Sequence, residues 1–262
     1  MEHGICMLPV VPLRAEPSDR SEMVSQVLFG ETVVTLEEHP KWVRVRCHYD
    51  DYEGWIDRRQ VVRISYEDLQ MLLDAILHIT LDPFSSVRCR ELEHGILIPA
   101  GSSLPGLNGK QVVLNGQLYK FDGHASQFSF KGSAGIAATA MLFHGCPYLW
   151  GGRTHFGIDC SGLTQIVAKM NGIRLPRDAS QQAAEGQIIN FQEEALPGDL
   201  AFFEDAEGKI IHTGILLDKG RIIHASGRVR IDMLDHQGIF NQDRRQYTHS
   251  LRTLRRITPA IV

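Results

Sequence analysis

A cysteine in the second half of the chain stands where a helix is predicted to begin. Cys160 lies three residues before an apolar stripe of helical spacing that starts at Leu163, and Asp159 is the candidate N-cap. A thiol in the first helical turn meets the positive end of the macrodipole, which lowers its pKa and favours the nucleophilic thiolate. The alternative is a buried cysteine that packs as a small hydrophobe. Cys160 alone does not decide between these two interpretations.

A thiol nucleophile needs a base, and two of the 12 histidines lie inside apolar strands. His212 stands in Ile-Ile-His-Thr-Gly-Ile, and His224 stands in Arg-Ile-Ile-His-Ala. An imidazole in such a strand is either hydrogen-bonded or used in chemistry, so a satisfied core histidine is the alternative for each. Six other histidines lie in polar or turn-like sequence and are interpreted as surface residues: His3, His39, His48, His124, His236 and His249.

The two strands around these histidines are predicted to form an antiparallel hairpin. If the hairpin is centred on Asp218, His212 lies opposite His224 on the same face, because side chains alternate with period two. A tight two-residue turn at Lys219-Gly220 would instead place the two rings on opposite faces. The catalytic interpretation therefore predicts a loop of three or five residues, in which one imidazole takes the thiol proton and the other orients it.

Composition excludes several classes of protein. The 262 residues carry 27 Lys+Arg against 31 Asp+Glu, which leaves no basic footprint for nucleic acid or an anionic membrane. No apolar run approaches the roughly 18 residues of a membrane span, and no secretory signal is recognised. Five cysteines without a C-x-x-C pair do not form a disulfide framework, so a reducing compartment, the cytoplasm, is predicted.

Changes in periodicity along the chain predict three domains of α+β class. Short strands fill 1–64, a connecting helix capped by Ser65 fills 65–77, and a second small β-domain fills 78–131, with 132–262 as the last domain. The stripe of the connecting helix is Leu69, Leu72, Leu73 and Ile76. Strands in the second β-domain are predicted over 87–92, 96–98, 112–114 and 117–121.

In the last domain, helices come first and antiparallel strands follow. Ser133 is predicted to cap a helix that Gly145 ends, and Asn171-Gly172 is predicted to stop the helix that carries Cys160. Strands are then predicted over 199–203, 210–217, 221–225 and 228–231.

Five motifs in this last domain occur in the order and spacing of one family. They are Pro-Tyr-Leu-Trp-Gly-Gly at 147–152, Asp-Cys-Ser-Gly at 159–162, Leu-Pro-Gly-Asp-Leu at 196–200, His-Thr-Gly-Ile at 212–215 and Ile-His-Ala at 223–225. Together they resemble the NlpC/P60 peptidases, which are papain-like cysteine hydrolases of bacterial cell-wall peptides. The resemblance covers roughly 130–262 and implies that Cys160 is the nucleophile, His212 the base and His224 its orienting partner.

The N-terminal region is similar to bacterial SH3-like domains, and this resemblance implies two small SH3-like β-barrels, at 1–64 and 78–131, before the papain-like domain at 132–262. Pro-Leu-Arg-Ala-Glu-Pro-Ser at 12–18, Trp-Val-Arg-Val at 42–45 and Gly-Trp-Ile at 54–56 carry this resemblance. The segments 21–31 and 51–55 resemble a narrower group, the γ-D-glutamyl-diamino-acid dipeptidyl-peptidases of murein peptide recycling. In that group the first SH3-like domain leans on the active site.

The resemblance to this narrower group also implies residues that bind the substrate. Glu22 and Tyr52 would hold the free amine of an N-terminal L-Ala; the alternatives are a solvated acid and a barrel aromatic. Asp159 and Ser161, on either side of the thiol, match substrate-binding positions, and Asp159 also suits a plain N-cap. The two remaining matches are Tyr148 and Ser180. The Tyr148 hydroxyl would face the scissile carbonyl, whereas the alternative is a packed aromatic.

The expected function is hydrolysis of the γ-D-glutamyl-diamino acid bond of murein peptides that carry a free N-terminal L-Ala. No cofactor or metal is implied, and a monomer is expected. Three alternatives remain: a wall-binding SH3 module joined to an inactive domain, a zinc hydrolase with His and Cys ligands, and an amidase or acyltransferase on the same fold. The sequence leaves open whether diaminopimelate or Lys follows D-Glu.

Overall fold

The computed structural model describes residues 2–89, 95–127, 130 and 132–259, and the chain forms two compact units, 1–128 and 129–262. Residues 90–92 of the strand predicted over 87–92 lie outside the described residues, as does residue 131 at the predicted domain boundary. No helix within the described ranges has the length and apolarity that a membrane-spanning helix requires.

The first half of unit 1 is one seven-stranded antiparallel sheet with the strand order β3-β2-β6-β5-β4-β1-β7. Its strands are β1 (His3–Ile5), β2 (Val10–Arg14), β3 (Met23–Leu28), β4 (Thr32–Glu38), β5 (Trp42–Cys47), β6 (Glu53–Asp57) and β7 (Val62–Ile64). Small apolar residues alternate with arginines along β5, so Val43 and Val45 are buried while Arg44 and Arg46 are exposed. This alternation builds a closely packed core on one face of the sheet.

Helix α1 (Tyr66–Asp74) begins where predicted, because Ser65 forms a capping box with Asp68. The helix is shorter than its apolar stripe, since Ala75 is already extended and Ile76 lies beyond the helix. Leu69 is 2% exposed, whereas Leu73 is 52% exposed, so Leu73 and Ile76 do not extend the buried face. The prediction of a continuous three-turn stripe is therefore wrong.

The second half of unit 1 contains a four-stranded and a three-stranded antiparallel sheet. Their strands are β8 (Leu77–Thr80), β9 (Phe84–Arg88), β10 (Ile96–Pro99), β11 (Ser103–Pro105), β12 (Gln111–Leu114), β13 (Gln117–Asp122) and β14 (Ala125–Gln127). Phe29 and Leu69 from the first half pack in one apolar cluster with Val87, Ile98 and Leu104 from the second. Leu69 thus lies in a core that joins the two halves of this unit.

Unit 2 contains helices followed by a strand-rich barrel. Its elements are α2 (Gly132–Met141), β15 (Arg153–Thr154), β16 (Gly157–Ile158), α3 (Cys160–Met170), α4 (Ala179–Gln182), β17 (Gln187–Ile189), β18 (Leu200–Glu204), β19 (Ile210–Asp218), β20 (Arg221–Ser226), β21 (Arg228–Asp235), β22 (Gly238–Asn241) and β23 (Gln246–Arg256). The strand order is β17-β23-β18-β19-β20-β21-β22, and β22 also pairs with β23, which closes the sheet. The predicted α+β class is confirmed.

The helices of unit 2 pack on this barrel, and both α2 and α3 contact β19. Every residue of α3 is buried, and Gly172 ends it with a φ of 74°, as predicted. Helix α2 begins at Gly132, so Ser133 lies in its first turn and the predicted Ser133 cap is wrong. The helix ends at Met141, and a turn leads from there to Gly145.

The unequal burial of two leucines on α1 generates a matched stability test. Leu69→Ala removes a side chain from the core that joins the halves of unit 1, so we expect it to lower the free energy of unfolding by about 2–4 kcal/mol. Leu73→Ala, on the same helix, is expected to change it by less than about 0.5 kcal/mol. Urea unfolding followed by circular dichroism measures both; equal effects would contradict the assigned packing.

Candidate active site

Asp159 caps the helix that carries Cys160. Its Oδ1 accepts a hydrogen bond from the backbone N–H of Gly162 at 2.7 Å, and its Oδ2 accepts one from Gly151 at 2.8 Å. The buried Arg177 donates to both oxygens, at 3.1 Å and 2.6 Å. These donors fill the usual acceptor positions of a carboxylate, so the N-cap role explains Asp159 and leaves it little capacity for a further partner.

Gly162 has a packing role in the same turn. A Cβ atom at Gly162 would lie 2.2 Å from the carbonyl oxygen of Gly152, which is closer than any side chain permits. The Asp-Cys-Ser-Gly motif therefore needs glycine because the helix start presses against the preceding glycine-rich loop.

Cys160 lies at the N-terminus of α3 and is 7% exposed. Burial raises the pKa of its thiol to about 11, and the Asp159 carboxylate adds to the increase. Hydrogen bonds from the backbone of Thr213 and Ser161 and the charge of Arg177 oppose it. The predicted lowering of the pKa is therefore wrong, because loss of solvation outweighs these contacts. The Thr213 contact places the thiol against the residue that follows His212.

The hairpin of β19 and β20 brings the two histidines to the same face by a route that the sequence did not predict. The turn is the tight one, with Asp218 paired to Arg221, so the predicted three- or five-residue loop is wrong. An irregularity between Leu216 and Asp218 shifts the register, and His224 pairs with Gly214. His212 is consequently a diagonal neighbour of His224 rather than its direct partner.

The rings of the two histidines meet, as predicted. Nε2 of His212 lies 2.8 Å from Nδ1 of His224, and the two rings are perpendicular. This close approach needs a residue without a side chain opposite His224, because a Cβ at Gly214 would lie 2.8 Å from the Cβ of His224. The glycine of the His-Thr-Gly-Ile motif therefore makes room for the second imidazole.

A buried carboxylate completes this chain of hydrogen bonds. Nε2 of His224 lies 3.0 Å from Oδ2 of Asp232, and Arg230 donates to Oδ1 at 2.9 Å. Burial alone would raise the pKa of Asp232, but the hydrogen bonds from His224 and Arg230 hold it below its ordinary value. Asp232 is therefore ionised and serves as an acceptor at neutral pH.

An acceptor at one end determines where the imidazole protons lie. Asp232 requires a hydrogen on Nε2 of His224, so Nδ1 of a neutral His224 is an acceptor. Nε2 of His212 must then donate to it, which leaves Nδ1 of His212 with a free electron pair. Burial, followed by repulsion from His224 and His249, lowers the pKa of His212 well below its ordinary value. His212 is therefore a neutral imidazole that can accept a proton at Nδ1.

Tyr148 lies in a loop held against the same hairpin. Its backbone N–H donates to the carbonyl oxygen of Gly227 at 3.1 Å, and Gly227 directly follows the strand of His224. Tyr148 also forms an isolated β-bridge with Ile158. Burial raises the pKa of Tyr148 to about 12, and the neighbouring charges of Cys160 and Asp159 add to the increase. The phenol thus remains protonated near the thiol, as an oxyanion donor must.

The remaining predicted site residues are four that were expected to bind the substrate. The Ser161 hydroxyl accepts a hydrogen bond from Arg177 at 2.7 Å, and Ser180 is exposed on α4. In unit 1, Glu22 is exposed at the start of the β3 hairpin, and Tyr52 is half-buried against the barrel core. The substrate-binding roles of these four residues stay predictions.

Two functional candidates escaped the sequence analysis. Asp232 could have been found, because β21 continues beyond the predicted end at 231 and its side chain then shares the face of His224. His249 had no such signal: it was assigned to the surface, but its ring stacks on His212. Within the described residues, no three His, Cys, Asp or Glu side chains are grouped so that they could hold a metal ion.

Comparison with known proteins agrees with this geometry. Residues 145–248 match the NlpC/P60 family, and residues 13–61 match the bacterial dipeptidyl-peptidase Sh3 domain. A crystal structure of an NlpC/P60 family protein from Bacillus cereus superposes with a TM-score of 0.83 at 21% identity, over 97% of this chain and 99% of that one. This similarity confirms the predicted fold, a papain-like domain with an SH3-like domain.

Two curated relatives extend over most of the chain. The γ-D-glutamyl-L-lysine dipeptidyl-peptidase of Bacillus subtilis is 30% identical over 215 residues, which are 77% of this chain and 71% of the relative. Dipeptidyl-peptidase 6 of Lysinibacillus sphaericus is 26% identical over 274 residues, 92% of this chain and 95% of the relative. With the buried thiol, the paired histidines and these similarities together, the chain belongs to the NlpC/P60 family of cysteine peptidases.

Proposed function

We propose that this peptidase hydrolyses the γ-D-glutamyl-diamino acid bond of murein peptides with a free N-terminal L-Ala and releases L-Ala-D-Glu. The observation that supports it most strongly is the hydrogen-bonded chain from Asp232 to His212 next to the Cys160 thiol. The name of the Bacillus subtilis relative, a γ-D-glutamyl-L-lysine dipeptidyl-peptidase, supports the choice of bond. We further propose that it acts as a monomer in the cytoplasm, where it recycles peptides released from the wall.

In the first half of the reaction, Nδ1 of His212 takes the proton of the Cys160 thiol and Sγ attacks the γ-carbonyl carbon of D-Glu. The carbonyl oxygen becomes an oxyanion, for which the Tyr148 hydroxyl and the backbone N–H of Cys160 are the proposed donors. The C–N bond then breaks, and the imidazolium of His212 gives its proton to the leaving amine. The product is a thioester between Cys160 and the γ-carboxyl group.

In the second half, water replaces the departed amine. Neutral His212 takes a proton from the water, the hydroxyl attacks the thioester carbon, and the C–S bond breaks. His212 then returns the proton to the Cys160 sulfur, which restores the thiol and releases L-Ala-D-Glu. In both halves the positive charge on His212 is stabilised through His224 by the ionised Asp232.

The pKa shifts of Cys160 and His212 indicate how the reaction begins. A thiol with its pKa near 11 and a base with a lowered pKa form a neutral pair rather than a resting thiolate-imidazolium pair. Proton transfer to His212 is therefore expected to accompany attack on a bound carbonyl. Such a thiol reacts slowly with general alkylating agents, and its reactivity depends on His212.

Substitution of the thiol tests the nucleophile. Cys160→Ala is expected to abolish cleavage while retaining the fold, and Cys89→Ala, which removes a half-buried thiol of unit 1, is expected to retain activity. A chloromethyl ketone built on L-Ala-γ-D-Glu should label Cys160, as read by mass spectrometry of the peptides. Iodoacetamide should not select Cys160, because that thiol is buried and its pKa is raised. Activity in Cys160→Ala would exclude the mechanism.

Substitutions along the hydrogen-bonded chain are expected to have graded effects. His212→Ala should be nearly as damaging as loss of the thiol, because members of one catalytic unit are not additive. His224→Gln should have a smaller effect than His212→Ala. Asp232→Asn should lower kcat roughly 10- to 100-fold, because the tautomers of His224 and His212 would no longer be fixed. Steady-state kinetics measures all three variants; an unchanged kcat in Asp232→Asn would exclude the proposed tautomers.

The pH profile provides a further check on the base. Because the pKa of His212 is lowered, its neutral form persists below pH 6.5, and kcat/KM should fall only at more acidic pH. A loss of activity centred at or above pH 6.5 would contradict a base of lowered pKa.

The substrate is tested by mass spectrometry of the products from L-Ala-γ-D-Glu-meso-diaminopimelate, from the same peptide with Lys as third residue, and from N-acetylated versions. Free peptides should yield L-Ala-D-Glu, and the blocked ones should react at least about tenfold more slowly, since an acid that binds the ammonium group would be left unpaired. Equal cleavage of free and blocked peptides would exclude the dipeptidyl-peptidase specificity.

Glu22 is the proposed acid that binds the ammonium group, and Tyr52 is proposed to assist it. Glu22→Gln should lower kcat/KM for the free peptide and reduce the ratio of this value to kcat/KM for the N-acetylated peptide. Glu16→Gln, at another exposed glutamate of the same sheet region, is the matched control and should change neither value. If both variants behave as the wild type, the amine is bound elsewhere.

A further inference from the structure

A third histidine lies directly on the face of the proposed base. The ring centroids of His249 and His212 are 4.2 Å apart, and the two planes are inclined by 25°, which is a stacked arrangement. His224 meets the same base at its Nε2 edge, with its ring perpendicular. Phe203 makes a tilted contact at 5.9 Å. His249 therefore covers a ring face that the hydrogen bond to His224 does not restrain.

Stacking limits a motion that the hydrogen-bonded chain leaves open. One hydrogen bond at Nε2 fixes the position of that atom, but the ring can still tilt about it and swing Nδ1. A second ring lying parallel on the imidazole resists this tilt, because the two rings would separate or collide. Nδ1 is the atom that must accept the thiol proton, so its direction depends on both contacts.

The ring of His249 is itself held by its strand. His249 pairs with Ile239 across β22 and β23, and its Nδ1 lies 2.9 Å from the hydroxyl of Thr248. Gly238, with a φ of 137°, lies against the same backbone, where a Cβ would be 1.8 Å from the carbonyl oxygen of His249. The strand that closes the barrel thus presents this ring at a defined place.

The stacked ring is uncharged at neutral pH. Burial, followed by repulsion from His224, lowers the pKa of His249 to about 4. A neutral aromatic neighbour permits His212 to become positively charged during the reaction, whereas a cation in that place would oppose it.

We propose that His249 is a positioning residue, which holds the imidazole of His212 by stacking so that Nδ1 points to the Cys160 thiol. The inference rests on the proposed function in that it takes His212 as the base. It predicts that the aromatic ring matters and that the imidazole nitrogens of His249 do not. Its contribution should therefore survive replacement by another aromatic residue.

Three variants test this proposal: His249→Ala removes the ring, His249→Phe retains a stacking ring, and His236→Ala removes an exposed imidazole on the β21–β22 turn as a control. His249→Ala should lower kcat for the peptide roughly three- to tenfold with little change in KM, the scale expected for one aromatic pair. His249→Phe and His236→Ala should remain within about twofold of the wild type on that same scale.

A second measurement needs no peptide substrate. The rate at which iodoacetamide modifies Cys160, followed by mass spectrometry, depends on proton transfer to His212 and should fall in His249→Ala but not in His249→Phe. If the wild type does not cleave the peptide but the alkylation rates follow this order, the proposed substrate is wrong and the positioning role stands. Equal alkylation rates in His249→Ala and the wild type would overturn it.

Thermal unfolding separates positioning from stability. A loss of alkylation and of kcat in folded His249→Ala, with recovery in His249→Phe, supports the proposal. If His249→Phe is as impaired as His249→Ala while both remain folded, the imidazole itself is required and stacking is not the cause. An effect confined to KM would likewise overturn the proposal, because a residue that directs the base acts on kcat.

Discussion

The hydrogen bond between Asp232 and His224 is the interaction on which the proposed chemistry depends. A buried carboxylate accepts but does not donate, so it assigns the proton of His224 and, through it, the proton of His212. Arg230 is needed as well, because an unpaired charge at this depth would be costly. The register of the β19–β20 hairpin then brings the His212 ring next to that of His224. A regular ladder from the tight turn would place the two rings on opposite faces, and the irregularity near Leu217 shifts the register so that both lie on one face.

Burial opposes ionisation of the Cys160 thiol. The helix start that was expected to activate Cys160 is enclosed, and loss of solvation raises the pKa of the thiol to about 11. The same enclosure lowers the pKa of His212, so base and thiol are both neutral before substrate binds. Attack by Cys160 therefore depends on the orientation of Nδ1 of His212, which must accept the thiol proton, and not on a thiolate formed before substrate binds. Small errors in the orientation of His212 should therefore slow the reaction even when every group is present.

Predictions from the sequence were correct where a residue type at a position has a single physical explanation. Asp159 before an apolar stripe predicted the N-cap, and polar residues in apolar strands predicted that His212 and His224 meet. Pairing details were not predictable, because a single extra residue near Leu217 changes the register without changing the hydrophobic pattern. Strand β23 was missed altogether: it mixes polar and apolar residues along its length, so His249 carried no sign of burial.

The proton relay and the proposed choice of substrate occupy different parts of the sequence. Cys160, both histidines, Asp232 and His249 all lie in unit 2, in elements that the closed barrel holds together. Glu22 and Tyr52, the residues proposed to bind the substrate amine, lie in unit 1. A change at Glu22 should therefore alter the preference between free and blocked amines, while the pH dependence of the base remains that of His212. A change at His249 should do the reverse, since it disturbs the base and leaves recognition of the amine intact.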